Sequence, residues 1–187
     1  MLTMLKTALR RFRQSEMGSF TVEAVVIFPL LVWSYTAMFV FWDAFKTQNI
    51  NLKATYTIAD MISREQRTID QNYLDGARTI YAFLSSGNEN HRLRVSVVRN
   101  RVDEFGNEFL SLEWSQVSGE GVTGYTDISQ VESIIPMLAV NDSIIVVTTF
   151  TDWRPLFNAG LSPMMLTETS VTAPRFMPQI LWDGTGT

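Results

Sequence analysis

Residues 24–42 run for nineteen positions without a formal charge, and a glutamate, Glu23, stands at their threshold. As an α-helix rising about 1.5 Å per residue, the run covers roughly 28 Å, close to the hydrocarbon thickness of a bilayer. Trp33, Tyr35 and Phe39 mix with Val, Leu and Ala, and Trp42 closes the run where an indole favours the membrane–water boundary. A cleaved secretory signal would have a shorter apolar core ending in a small-x-small site, and the run here ends in Phe39, Val40, Phe41 and Trp42. The length and the flanking charges also argue against a soluble core helix. The segment therefore reads as a single-pass transmembrane helix. The residues beyond it suffice for one domain of ordinary size.

Charge divides unevenly about this segment. Lys6, Arg10, Arg11 and Arg13 precede Gly18, opposed only by Glu16, which gives that end +3 and residues 19–187 −7. Basic flanks stay on the cytoplasmic side, so the expected orientation is N-terminus in and everything after Asp43 out. An outer part this acidic is a poor ligand for nucleic acid, whose phosphates need clustered Lys and Arg. The chain has no cysteine, which removes disulfides, thiolate catalysis and Cys-based zinc sites.

Glu23 needs a reason, because a carboxylate at the bilayer midplane costs roughly 2.5 kcal/mol or more, and less near an interface. It stands five positions after Gly18, behind a basic cluster and ahead of an apolar helix. That combination resembles the type IV prepilin signal. The fuller run, with Val22 before Glu23 and with Pro29, resembles the TadE/TadG-like family of minor pilins (pseudopilins) of the tight-adherence (Tad, Flp) type IV pilus system. Pro174, Arg175, Phe176 and Pro178 add a weaker likeness to the family's outer domain.

The resemblance implies cleavage by a prepilin peptidase between Gly18 and Ser19, with Glu23 as the carboxylate used in subunit assembly. It implies a cytoplasmic basic leader over 1–18, a transmembrane helix over 19–43 and a periplasmic α+β domain over 44–187. The implied place is the bacterial inner membrane, with incorporation into the pilus as a further outcome. Implied partners are other pilins, Tad pilus assembly proteins, the prepilin peptidase and membrane lipid. The implied role is structural, in adhesion and biofilm formation, with no enzyme activity, cofactor, metal or small-molecule substrate. Ala24 stands where the Flp major pilins carry Tyr, and the chain is too long for one of them. It also lacks the length and motif for the von Willebrand-like metal domain of large TadG-type proteins. The likeness is thus to the TadE-like minor subunits.

The residues carry a physical argument beside the resemblance. A cut after Gly18 would leave a positive amine on Ser19, and the Glu23 of a neighbouring chain would neutralise it in a low-dielectric bundle. A buried pair of that kind is costly to break, because one charge is left alone. The alternative reading is an uncleaved single-pass sensor or binding module, in which Glu23 marks the cytoplasmic interface. Pro29 removes one backbone hydrogen bond and kinks the helix. That kink is either merely tolerated or a flexible point used in packing.

Beyond the membrane the expected fold is α+β: a helical stem, then a small antiparallel sheet packed on helices. Helices are expected over about 44–86, the sheet and a short helix over about 92–178. Ala54, Ile58, Met61 and Ile62 keep helical spacing on the stem, and Thr68 to Gln71 reads as a capping box for a second helix stopping at Gly87. Leu93, Val95 and Val97, then Leu110, Leu112 and Trp114, alternate with polar residues, which predicts a hairpin with one face packed and one wet. Asp127 caps an expected helix with Ile128, Val131, Ile134, Ile135 and Leu138 as its stripe. Asn141 breaks the chain before a central strand over 144–150, and the last strand is expected over 167–173.

Several candidate chemistries fail on composition. Gly119, Gly121 and Gly124 match the dinucleotide fingerprint by letter, but no helix opens on them and Glu120 would face the pyrophosphate. His91 is the only histidine, and a loop position is its expected place. Asp103, Glu104 and Glu108 crowd a turn without the spacing of an EF-hand, and a solvated turn is expected there. Trp153, Phe157, Leu161, Met164, Met165 and Leu166 differ, because aromatic residues and Met are enriched at interfaces. They form the candidate partner patch, set against a loop folded over the sheet edge.

Overall fold

The computed structural model describes residues 10, 16–85 and 90–184, and of residues 16–19 the backbone alone. Helix α1 is unbroken over Glu16–Ser63. Helix α2 covers Gln71–Leu84. Four strands come next, β1 His91–Val102, β2 Glu108–Ser118, β3 Ser143–Trp153 and β4 Met164–Thr172. They form one antiparallel sheet in the order β2-β1-β3-β4. The class is α+β. The described chain falls into two compact units, Met1–Asp43 with Pro155–Ser162, and Ala44–Arg154 with Pro163–Thr187.

In the second unit the stripe Ala54, Ile58, Ala59 and Ile62 of α1 shares one buried cluster with Leu74, Ala77 and Tyr81 of α2. Leu93, Val95 and Val97 of β1 and Ile145 and Val147 of β3 complete it. Thr55 and Thr149 join helix to sheet through a 2.6 Å hydrogen bond between their hydroxyls. After β4, the Arg175 amide donates to the Ser63 carbonyl, and its guanidinium meets Asp60 at 2.6 Å. Ile180 is buried in the same cluster, and its carbonyl accepts from the Trp114 indole at 2.9 Å.

Three expectations change. Asp70, not Thr68, caps α2, its carboxylate accepting from the Tyr73 amide at 2.8 Å. Thr68 is unsuited because Ile69 is extended, bridging to Trp182 and exchanging backbone bonds with Leu181 and Asp183. The expected stop at Gly87 lies outside the described residues, and α2 ends at Leu84 with the extended Ser85 as its C-cap. The stripe after Asp127 forms two short 3₁₀ turns, Ile128–Gln130 and Glu132–Ile134, rather than one helix. Asp127 does cap the first, accepting from the Ser129 amide at 2.8 Å.

The third change concerns the sheet faces. The register slips between Val97 and Val98, so that Val97 pairs with Trp114 but Val98 with Leu112, and Glu113 is the extra residue. A bulge of this kind transfers the rest of a strand to the opposite face. Trp114 accordingly packs with the helix-side cluster, whereas Leu110 and Leu112 join Val98, Ile144 and Val146 on the other side. That second face is not wet. Val131, with Tyr125, Ile128, Ile135 and Leu138, packs over it, which is why β3 is buried along almost its whole length.

The phenols carry a testable consequence of this packing. Burial, reinforced by the Glu65 carboxylate, pushes the Tyr73 hydroxyl up to about 12, and burial raises Tyr81 as well. An unfolded tyrosine ionises near pH 10, so the unfolded state releases these protons first as pH rises. The stability that Tyr73 contributes is therefore complete below about pH 10 and is lost between about pH 10 and 12, and that of Tyr81 is lost in the same direction. Spectrophotometric titration should show Tyr73 and Tyr81 ionising only above pH 10, together with loss of near-UV dichroism. Ionisation of Tyr73 and Tyr81 near pH 10 in a chain that stays folded would contradict their burial.

Candidate functional site

Gly18 and Ser19 lie in the first turn of α1. Every described side chain over residues 20–35 is exposed, Glu23 among them. Phe20, Val25, Val26, Phe28, Leu30, Leu31, Trp33 and Tyr35 stand out on all sides of the helix. Burying one such side chain is worth about 1.5–3 kcal/mol, so an exposed run of this kind fits an apolar surrounding rather than water. This is the one helix among the described residues long and apolar enough to cross a membrane. Pro29 lies inside it without ending it. Having no N–H, it leaves the Val25 carbonyl without its helical donor.

The second group drawn from the sequence is not one loop. Trp153 ends β3 and Met164 opens β4, and the two are register partners. Trp153 is buried, while Met164 and Met165 are exposed. Phe157 is exposed and Leu161 half-buried, and both belong to the other compact unit, in the segment Pro155–Ser162. Leu166 is half-buried inside β4. The strand therefore begins three residues earlier than the sequence suggests, because Met164 and Met165 already pair with Trp153 and Asp152.

No family model, curated protein or solved structure matches the chain. Its chemistry must be read from its own groups.

His91 is the residue that sequence reasoning placed worst. It opens β1 and is buried, edge-on to the Tyr81 ring at 5.4 Å. Its Nδ1 lies 3.2 Å from the Thr151 hydroxyl, which itself lies 2.7 Å from the Tyr81 hydroxyl. Ser85 approaches His91 at 3.4 Å, but its hydroxyl donates to the Tyr81 carbonyl at 2.7 Å. The proton of the nearest serine is thus committed to backbone. The polar neighbours Asn90 and Arg92 concealed a strand start, which the pairing of His91 with Thr151 establishes. Beside this cluster a recess of about 340 Å³ is lined by Arg78, Asn90, His91, Arg92, Gly119 and Glu120. Its cations are paired, Arg92 with Asp152 at 2.6 Å and Arg78 with the Ser118 hydroxyl at 2.8 Å.

The remaining motifs have structural explanations. Gly119 and Gly121 adopt positive φ, and a Cβ on Gly124 would stand 2.5 Å from the Ser115 carbonyl. That close approach lets the Tyr125 amide donate to Ser115 and brings the Arg94 guanidinium over the Tyr125 ring at 3.7 Å. Asp103 accepts from the amides of Phe105 and Asn107 and from the Asn107 side chain, which holds its carboxyl below the usual range. Glu108 accepts from Asn100 at 2.8 Å. Glu113, at the bulge, takes a two-pronged hydrogen bond from Arg101 and is likewise held low. No group of three metal-ligating side chains occurs among the described residues.

Proposed function

We propose that the chain is a TadE-like minor pilin, or pseudopilin, of a Tad (Flp) type IV pilus: a membrane-anchored subunit that acts by assembly. The observation that carries the reading is the run 20–35, exposed on all sides and carrying one carboxylate, Glu23, five positions after Gly18. A helix of that kind suits lipid first and a bundle of like helices afterwards. The basic cluster before Gly18 holds that end in the cytoplasm and sends the sheet-bearing unit to the periplasm. A peptidase cut between Gly18 and Ser19 removes those anchoring charges and creates an amine on Ser19. Glu23 of an adjacent subunit then neutralises that amine, so only processed chains dock without leaving a buried charge unpaired.

The test is the N-terminal sequence of the mature protein when a prepilin peptidase is co-expressed. The expected first residue is Ser19. Intact Met1 under those conditions would overturn the processed-pilin reading and leave an uncleaved anchored module in its place.

A further inference from the structure

The segment Pro155–Ser162 forms one compact unit with the helix portion that ends at Asp43. Over residues 20–43 and 155–162 only two described side chains are buried, Val40 at 1% exposure and Ala159 at 6%. Thr36 and Ala37, four and three positions before Val40, are half-buried and continue the same helix face. Gly160 has φ 100°, a conformation that costs glycine little, and it lies beside Ala159 in this turn. Leu156 is 72% and Phe157 56% exposed, flanked by the exposed, uncharged Asn158 and Ser162. From Pro155 to Thr167 there is no formal charge, and Arg154 and Glu168 bound the stretch.

The level of Val40 matters. It lies two positions before Trp42, about 3 Å along the helix axis. Phe39, Phe41, Trp42 and Phe45 are exposed around that level, and the Phe39 and Trp42 rings stand 6.0 Å apart. Aromatic residues at such a level form the belt of a membrane–water boundary. An uncharged loop with an exposed Leu–Phe pair, in one compact unit with this helix portion and carrying its other buried side chain, Ala159, continues that belt.

We propose that residues 155–162 form a membrane foot: a loop seated in the headgroup region of the outer leaflet, with Leu156 and Phe157 directed into the lipid. The inference rests on α1 spanning the membrane and goes beyond it, because it gives the anchor a second lipid contact from a distant part of the chain. Two contacts restrict the tilt and rotation that a lone helix retains. The foot therefore sets the orientation in which the helix is offered to its partners.

The absence of native cysteine allows single-site labelling of the full chain. Phe157→Cys, Leu156→Cys and, within the helix, Val26→Cys carry a bimane fluorophore in phosphatidylcholine–phosphatidylglycerol vesicles. Quenching is read from nitroxide lipids labelled near the headgroup and from aqueous iodide, with a bimane–glutathione conjugate as the reference for dye in water. Both loop labels should lose about half their fluorescence to the nitroxide lipid and resist iodide, as expected of groups in the interfacial belt. The Val26 label should be quenched by nitroxides deeper in the chain. Loop labels that behave like the conjugate while Val26 is quenched overturn the foot and leave the spanning helix. Should Val26 also escape quenching, the spanning helix falls and the foot with it.

Discussion

Ile58→Ala is expected to lower the unfolding free energy by about 3 kcal/mol, the middle of the range for a fully buried isoleucine cut to alanine. Ile58 is completely buried where the α1 stripe meets α2 and the inner strands, so truncation leaves a void bounded by several elements. Tyr56, two positions earlier, is exposed, and Tyr56→Ala should stay within about 0.5 kcal/mol. Both are measured by urea denaturation of the full chain in detergent micelles, tracked by near-UV dichroism. The mutually tilted rings of Trp114 and Trp182, 5.5 Å apart beside the same cluster, supply the signal. Equal midpoints for the two variants would mean that this part of α1 does not share a core with the sheet.

The elements of this fold were legible wherever one physical signal dominated. Uncharged length marked the apolar half of α1, helical spacing at Ala54, Ile58 and Ile62 marked its buried half, and alternation marked β1. Most of the errors share a cause, namely contacts remote in sequence. The bulge at Glu113 is invisible to a count of alternating residues, yet it sends Leu112 and Trp114 to opposite faces. The stripe after Asp127 kept helical spacing, but Pro136 bars Ile135 from helix, where the backbone is extended, and the chain packs on the second face as two 3₁₀ turns. His91 read as a loop residue because its neighbours are polar. Only the pairing of β1 with β3 brings Thr151 to it. The same limit applies to the patch around Phe157. Composition flagged its apolar residues, but the sequence did not show that they belong to different units.

Glu23→Ala is the variant with the largest expected functional effect. Replacing a carboxylate by a methyl makes the helix easier to insert, so the amount of protein in the membrane should hold or rise. On the pilin reading the same change strands the Ser19 amine of each docked neighbour. Removing one partner of a buried pair costs about 3–5 kcal/mol, roughly a hundredfold or more in the equilibrium of each subunit contact. Incorporation into shear-released fibres should therefore collapse while membrane fractions still contain the chain. Processing at Ser19 distinguishes the two ways this can arise. If the variant is cut normally and still fails to assemble, the carboxylate acts in docking. If it is no longer cut, Glu23 acts first in peptidase recognition, and the docking role must be tested on protein already processed. Fibre incorporation at the unmodified level, from a correctly processed chain, would leave Glu23 no part in assembly. The exposed position of Glu23 in the single chain is what docking requires, because a carboxylate already satisfied by its own chain would have nothing to offer a neighbour's amine.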